Sequence, residues 1–327
     1  MAFPTETVYG LGADARSPEA VARVFALKGR PSNNPLIVHV ADEAMARSLA
    51  GAWPSEAQRL AQAFWPGPLT IVVPRAEGET QIPDIVTAGG ASVALRCPDH
   101  PIALGLLRAF GGPLVGPSAN RSGCISPTLA EHVRREFPGD EPLILDGGPC
   151  RRGIESTVVR VPIDRASRVE QGVTILRPGV VTQRDLERVL GLPVETAATL
   201  ARADAGALPS PGMLERHYAP RSAAFCFAGT QWPDVLDALL DLDAPAALLV
   251  HERRSVPHPH RRFAMPADAA AYASALYRTL READESAPTS IFIERPGDDA
   301  RAWPGDPDAW AGVHDRLRRA TEPFGSS

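Results

Sequence analysis

The chain has 327 residues, a formal net charge of −5 and 44% hydrophobic residues. This length usually divides into two domains, and the acidic balance gives no general signal for a nucleic-acid or membrane surface. No apolar run reaches the length of a membrane span and no signal peptide is recognisable, which predicts a cytoplasmic protein. Four dispersed cysteines without a C-x-x-C pair predict reduced thiols and no bound metal.

The first part of the chain, residues 1–190, predicts an α/β domain of α+β-like character around a twisted, mixed sheet, because strands and helices alternate irregularly. Ser17-Pro18 is typical of a helix start, and Thr182 with Asp185 resembles a helix cap. Helical spacing of apolar residues predicts helices at 19–28, 44–50, 55–64, 104–110 and 129–137. A further helix follows the cap at 182–185 and runs to residue 190. Apolar and β-branched runs predict strands at 36–40, 69–73, 92–96, 114–116, 143–145, 157–161 and 174–176.

Residues 191–221 read as an interdomain linker, because Ala, Thr, Gly, Pro and Ser dominate and periodicity is weak. A segment at 210–220 with Met, His and Tyr is unusual for a passive linker. From residue 222 to 327, strands at 223–227, 246–250 and 291–293 alternate with helices at 235–242, 267–283 and 309–319. This alternation predicts a smaller, Rossmann-like βαβ domain.

Lys28 is the single lysine of the chain, beside thirty-three arginines. Lysine is a compact point charge, whereas arginine is a planar fork, so a site that needs the compact ammonium is one explanation. Phosphate binding is a common use of such a cation. Biased codon usage, which thins lysine throughout a chain, is the alternative explanation.

Several polar motifs lie at the ends of predicted elements. Lys28 and Arg30 leave a helix together and could direct two cations at one anion, although cations are favoured at any helix C-terminus. The turns 5–12 and 116–120 combine glycines with hydroxyl, carboxylate and amide side chains, which favours close approach to a ligand or simply stabilises a turn. Arg96 and Arg177 close predicted strands. A convergent cationic pocket is therefore plausible, whereas the histidines near 258 fit a loop better than a metal site.

Five segments resemble the YrdC-like family in order and spacing: 4–14, 28–39, 64–70, 116–120 and 176–179. The motif at 210–220 resembles the linker of its long, two-domain branch. The resemblance implies a sheet with a concave, positively lined cavity. It implies synthesis of L-threonylcarbamoyl-AMP from L-threonine, bicarbonate and ATP, with release of pyrophosphate. Mg²⁺ would accompany ATP, and a transferase complex would use the product to modify tRNAs that read codons starting with A.

The same resemblance implies roles for individual residues. The catalytic set around phosphate and bicarbonate would be Lys28, Arg30, Ser118 and Asn120. ATP would also contact Ser32, Asn33, Ser92, Ser126, Arg177 and Tyr218, the last as a lid from the linker. L-Threonine would contact Thr5, His39, Arg96, Ser118 and Ser156, with Arg96 pairing its carboxylate.

Family members carry a helix and the start of a strand before the Pro-Thr-Glu-Thr motif, whereas Met1 lies three residues before Pro4 here. Either the given start is too late, or the chain lacks an element of its sheet, and a missing strand would expose an edge and leave apolar surface unpaired.

Two other functions remain open from the sequence. The same cavity could bind RNA or tRNA without catalysis, although the acidic net charge and the lack of interleaved basic and aromatic residues count against it. Direct tRNA binding by a synthase also stays open. A related carbamoyl-adenylating enzyme is the second alternative, but the extra fused domains of such enzymes are not recognisable.

Overall fold

The computed structural model describes residues 1–78, 82–139, 142–162, 172–197, 217–297, 303–304 and 306–325. The chain forms two compact units. The first comprises residues 1–122, 127–151 and 155–213, and the second comprises 123–126, 152–154 and 214–327. Two short stretches from the N-terminal half thus belong to the second unit. The predicted domain boundaries at 190 and 221 place both stretches in the first domain.

The first unit alternates strands and helices in the order expected for a mixed sheet. Its strands are β1 Ala2–Phe3, β2 Gly10–Leu11, β3 Ala13–Asp14, β4 Ile37–His39, β5 Leu69–Pro74, β6 Ser92–Arg96, β7 Leu114–Val115, β8 Thr157–Arg160, β9 Thr174–Arg177 and β10 Glu195–Thr196. Its helices are α1 Pro18–Lys28, α2 Glu43–Leu49, α3 Ser55–Phe64, α4 Asp84–Thr87, α5 Pro101–Phe110, α6 Ala130–Glu136 and α7 Gln183–Leu190.

Helix α1 shows how local sequence sets an element that reaches the site. The Ser17 side chain accepts a hydrogen bond from the Ala20 amide, and Pro18 occupies the first turn, where no amide donor is needed. Gly29 ends the helix with a φ of 60°, a conformation that glycine adopts without steric cost. Lys28 therefore stands in the last turn, immediately before the chain changes direction.

Eight of these strands form one mixed sheet in the order β10-β9-β8-β5-β6-β4-β7-β3. Strands β4 and β6 are parallel, and β5 is antiparallel to β6. Successive side chains of a strand point to opposite faces. One face, with Val38, Ile71, Leu95 and Val159 among its members, joins the main hydrophobic core. The opposite face carries a separate cluster of Ile37, Val72, Ala94, Val158 and Leu176.

The structure confirms the mixed α/β fold class and corrects several predicted elements. Residues 143–145 do not form a strand, because Ile144 makes only an isolated bridge to Ala2. Strand β10 lies inside the segment predicted as linker, where it pairs in parallel with β9. The predicted cap of α7 is confirmed as a reciprocal capping box between Thr182 and Asp185. Residues 210–216 of the predicted linker motif lie outside the described part of the chain.

The second unit is a parallel α/β unit, as predicted. Its strands are β11 Ala223–Phe227, β12 Ala247–His251, β13 Arg261–Met265, β14 Ser290–Glu294 and β15 Glu322–Pro323, and its helices are α8 Trp232–Leu240, α9 Ala269–Glu285 and α10 Ala311–Ala320. All its strand pairs are parallel, in the order β13-β12-β14-β11-β15. Strand β13 was not predicted from the sequence.

A groove of about 720 Å³ opens in the first unit beside β1 and β3. Its lining is largely apolar and includes Met1, Leu11, Val24, Leu27 and Leu143. Leu143 is 63% exposed, which is high for so large an apolar side chain. Within the described residues, no helix combines the length and the apolar character that a bilayer span requires.

Replacing Gly179 with Ala should destabilise the first unit. A β-carbon at this position would lie 2.5 Å from the Thr157 amide nitrogen and 2.8 Å from the Glu155 carbonyl oxygen, both of them backbone atoms. Such overpacking typically costs ~1–3 kcal/mol. Denaturant unfolding followed by circular dichroism measures the change.

Gly105→Ala is the matched control, since Gly105 lies within α5 and a β-carbon there meets no atom within 4 Å. This substitution should stabilise the unit by ~0.5–1 kcal/mol through helix propensity. Equal effects of the two substitutions would contradict the packing argument.

Candidate functional site

The second face of the eight-stranded sheet brings together residues that the sequence analysis assigned to a site. His39 follows Ile37 by two residues on β4, and Arg96 and Ser92 flank Ala94 by two residues on β6, so all three share the face of the small apolar cluster. His39 and Arg96 are register partners across the parallel pair. Ser92 stands four residues from Arg96, or ~13 Å along the strand, so the face has two distinct ends.

Lys28 ties the end of α1 to the turn at 116–120. Its Nζ donates hydrogen bonds to the carbonyl oxygens of Ser118 and Asn120, each at 2.5 Å. The side chain is buried, and the Lys28 carbonyl in turn accepts from the Ser122 amide at 2.8 Å. The amide of Ala119 donates to the Tyr9 carbonyl, which fastens the same turn to the loop at 5–12. The Lys28 ammonium thus fixes a turn that lies 90 residues further along the sequence, at Ser118.

Gly116 lets this turn approach His39. A β-carbon on Gly116 would lie 2.6 Å from both Nδ1 and Cε1 of the His39 ring, so only glycine fits here without displacing the imidazole. The Gly116 amide donates to the Ile37 carbonyl at 3.0 Å, and Phe3 packs edge-on against the ring. The turn that Lys28 holds is therefore continuous with the His39 end of the sheet face.

His39 is buried with a polar atom left over. Its Nδ1 has no hydrogen-bond partner among the described residues, and the side chain is 2% exposed. Burial, and secondarily the positive charge of Arg96, lower the pKa of His39 well below its usual value. The imidazole is therefore neutral near pH 7, and its buried Nδ1 lies against Gly116 without a hydrogen-bond partner among the described residues.

Arg96 is held in a network with the loop at 5–12. Its Nη2 lies 2.8 Å from Glu6 Oε1 and donates to Thr7 Oγ1 at 2.8 Å, while Nε makes a longer bond of 3.4 Å to the Gly67 carbonyl. Thr5 and Thr7 hydroxyls lie 2.8 Å apart, which links Thr5 to the same network. The Arg96 guanidinium is thus already paired with a carboxylate of the chain itself.

Ser156 and Arg177 meet beside the same face. Arg177 donates to the Ser156 carbonyl through Nε and Nη2, at 3.2 and 2.9 Å, and Nη2 also reaches Ser156 Oγ. The Ser156 and Thr70 hydroxyls lie 2.8 Å apart, so β5 contributes to the cluster. Three buried polar side chains from β5, the start of β8 and the end of β9 therefore satisfy one another.

The Ser92 end of the face contains a cavity of about 150 Å³. Val72, Ala94 and Leu176 of the small apolar cluster line it, together with the polar residues Ser92 and Arg160. A mainly apolar lining with a few polar groups is the composition common to small-molecule sites.

The structure does not gather every residue of the predicted sites. The described hydrogen bonds of Arg30 go to Asn34 and the Pro35 carbonyl, which shapes the loop after α1, and Ser32 and Asn33 are exposed in that loop. Ser126 and Tyr218 belong to the second unit.

Within the second unit, Tyr218 is buried and has a φ of 64°. Its ring packs against His217 and Tyr277, and Arg316 lies over it at 5.5 Å. The assignments of Arg30, Ser32, Asn33, Ser126 and Tyr218 to the site stay predictions.

Sequence reasoning assigned no role to four polar residues of this face and its border, Glu6, Thr7, Thr70 and Arg160. Of these, Glu6 and Thr7 lie in the turn at 5–12 that it did single out. Thr70 and Arg160 could have been found from strand alternation, because they share a face with Val72 and Val158. Glu6 gave no such signal, since its partner Arg96 is 90 positions away and the pairing follows from tertiary structure alone.

Comparisons with known proteins identify the family of the chain. A family model described as "Telomere recombination" (Sua5_yciO_yrdC) matches residues 1–179. The chain belongs to the Sua5/YciO/YrdC family. A second model, described as "Threonylcarbamoyl-AMP synthase, C-terminal domain", matches residues 181–321, so the family's two-domain branch accounts for both units.

Named relatives of this family are similar over most of the chain. The threonylcarbamoyl-AMP synthase of Bacillus subtilis is 47% identical over 67% of this chain and 60% of its own length. That of Pyrococcus abyssi is 44% identical over 70% of this chain and 64% of its own length. The matched segments therefore span less than two thirds of these relatives. The crystal structure of P. abyssi Sua5 complexed with L-threonine superposes with a TM-score of 0.85 at 33% identity, covering 99% of this chain and 92% of that one.

The buried His39 predicts a pH-dependent contribution to stability. The unfolded chain binds a proton on this residue near pH 6.5, whereas the folded protein does so only at much lower pH, so the folded state binds fewer protons below pH 6.5. The contribution is complete above that pH, and stability should fall by ~1.4 kcal/mol per pH unit below it.

His39→Gln should remove this share of the slope when the free energy of unfolding is measured between about pH 5 and pH 7. The exposed His258 provides the control, since His258→Gln makes the same chemical change at a position outside the core. An unaltered slope in His39→Gln would show that the folded protein accommodates a charged His39.

Proposed function

We propose that the chain is an L-threonylcarbamoyladenylate synthase, which converts L-threonine, bicarbonate and ATP to L-threonylcarbamoyl-AMP, pyrophosphate and water. The observation that carries the proposal is the two-ended polar face. One end has the neutral His39 and the paired Arg96, and the other has a small cavity with an apolar floor. The Lys28-bound turn adjoins the His39 end. Family membership and the names of the relatives support the same activity.

L-Threonine would occupy the end of the face around Arg96. The guanidinium would pair with its carboxylate, since arginine is suited to planar anions. Thr5, His39, Ser118 and Ser156 would supply the remaining polar contacts. A neutral imidazole adds no competing positive charge close to the amine, which must be unprotonated to attack carbon dioxide or bicarbonate.

ATP would extend from the cavity at Ser92 toward the turn at 116–120. The base would lie on the apolar floor, and the phosphates would lie near Lys28, Asn120 and Arg177, with Arg30, Ser32, Asn33, Ser126 and Tyr218 as further contacts. Mg²⁺ would enter with the triphosphate. Such an ion needs few protein ligands, because the phosphates and water supply most of its coordination.

The residues of the site would act by positioning and by electrostatic stabilisation. Carbamate formation on the threonine nitrogen gives an oxygen nucleophile, which attacks the α-phosphorus and displaces pyrophosphate. Negative charge accumulates on phosphate oxygens during this displacement, so fixed cations nearby lower the barrier. A fixed orientation of the two substrates contributes separately, because it removes translational and rotational freedom before reaction.

The product is a mixed anhydride, so a transferase must take it up before water does. We propose that a transferase complex of the cytoplasm receives it and modifies the adenosine beside the anticodon of tRNAs that read codons starting with A.

Pyrophosphate release from ATP and bicarbonate, measured with and without L-threonine, tests this function. Release should depend on threonine and should fall at least ~100-fold in both Lys28→Ala and Lys28→Arg. The second variant keeps the charge, but its planar guanidinium does not fit two converging carbonyl groups at 2.5 Å.

Arg108→Ala, an exposed cation at the end of α5, is the control for lost positive charge and should keep full activity. Thermal unfolding of each variant separates loss of the site from loss of the fold. A folded chain that binds RNA in a salt-dependent manner and consumes no ATP would contradict the synthase.

A further inference from the structure

Glu6 is a buried carboxylate that the proposed chemistry does not use. It lies in the loop between β1 and β2 and is 1% exposed. Oε1 is 2.8 Å from Arg96 Nη2, and Oε2 accepts a hydrogen bond from the Asp99 amide at 3.1 Å. Oε1 therefore contacts Arg96 as an ion pair without a hydrogen bond of normal geometry, and the Asp99 amide fixes Oε2.

A buried ion pair of this kind is a weak source of stability. Desolvation of the two charges offsets most of their attraction, and an apolar pair of similar volume is often at least as stable. The definite effect of such a pair is geometric, because each charge fixes the position of the other. The pair therefore matters for the position that it gives to the Arg96 guanidinium.

The hydrogen bonds of Arg96 are distributed unevenly over its nitrogens. Nη2 carries the contacts to Glu6 and Thr7, and Nε makes the long bond to Gly67. Nη1 has no hydrogen-bond partner within the described residues. Glu6 and Thr7 thus hold one side of the guanidinium fork and leave the other side to a ligand.

The unpaired atoms of two neighbours coincide on this face. Arg96 and His39 are register partners on adjacent strands, and the buried His39 Nδ1 also has no partner among the described residues. Arg96 Nη1 is not among the fully buried atoms without a partner, so this side of the guanidinium fork is open to a ligand that lies beside His39.

We propose that Glu6 is a positioning residue for L-threonine, which orients the Arg96 guanidinium so that Nη1 meets the substrate carboxylate. The inference rests on the proposed function, since it concerns the threonine end of that site. Because the guanidinium is oriented before binding, the substrate need not supply the free energy of ordering it. Glu6 should therefore govern the affinity for threonine and leave the affinity for ATP unchanged.

Two variants separate the charge of Glu6 from its reach. Glu6→Gln keeps the length of the side chain and an oxygen for the Asp99 amide but loses the charge. Glu6→Asp keeps the charge but shortens the side chain by one methylene. Both should raise the dissociation constant of L-threonine about tenfold or more in calorimetry, with less than about a twofold change for ATP.

L-Threoninamide, which lacks the carboxylate, distinguishes positioning from a general structural role. The unaltered chain should prefer threonine over the amide, and this preference should shrink in Glu6→Gln, because the lost contact is the one to the carboxylate. A merely structural role would weaken both ligands equally.

Glu294→Gln is the matched control. Glu294 is equally buried, lies in the second unit and pairs with Arg254 at 2.6 Å. The substitution therefore removes a comparable carboxylate outside the proposed threonine site. It should leave threonine affinity unchanged.

Several outcomes would overturn the inference. One is an unchanged threonine affinity in both Glu6 variants. Another is tighter threonine binding in Glu6→Gln, because Glu6 would then compete with the substrate carboxylate for Arg96. Failure of the unaltered chain to bind threonine would instead refute the proposed function together with the inference.

Discussion

The pleat of the eight-stranded sheet is the constraint on which the site depends. A strand must alternate its side chains between two faces, so the strands that bury Val38, Ile71 and Leu95 in the core necessarily present His39, Thr70 and Arg96 on the other side. The core cannot be rebuilt in another register without reversing the site face. Packing on one side therefore fixes where the polar groups stand on the other.

The polar groups of this face and of the adjoining turn at 116–120 are ordered before any substrate arrives. Lys28 is fixed by two carbonyl oxygens, Arg96 by a carboxylate and a hydroxyl, and Arg177 by Ser156. Such bonds cost desolvation and contribute little net stability. Their effect is that the charges need not reorganise when substrate charge appears, which is the condition under which electrostatic stabilisation is largest.

The elements that could be predicted are those whose signals lie within a few neighbouring residues. The cap of α1, the capping box of α7 and β6 follow from patterns within a few residues. Two-residue strands such as β2 and β3 carry too little pattern to be predicted. Strand β13, whose first residues are Arg261 and Arg262, lies at a sheet edge where polar side chains face solvent. Resemblance supplied residues such as His39 and Arg96, but the Glu6–Arg96 pair required the folded chain.

The burial of Lys28 has a consequence for the outer surface. The chain has one lysine, and that residue is 3% exposed. Every exposed basic side chain other than histidine is therefore a guanidinium, which stays charged at any physiological pH and pairs with carboxylates and phosphates in a fixed plane. Enzymes and reagents that acylate lysine side chains would find their one target enclosed in the fold. Its reactivity would report directly on whether the turn at 116–120 is closed.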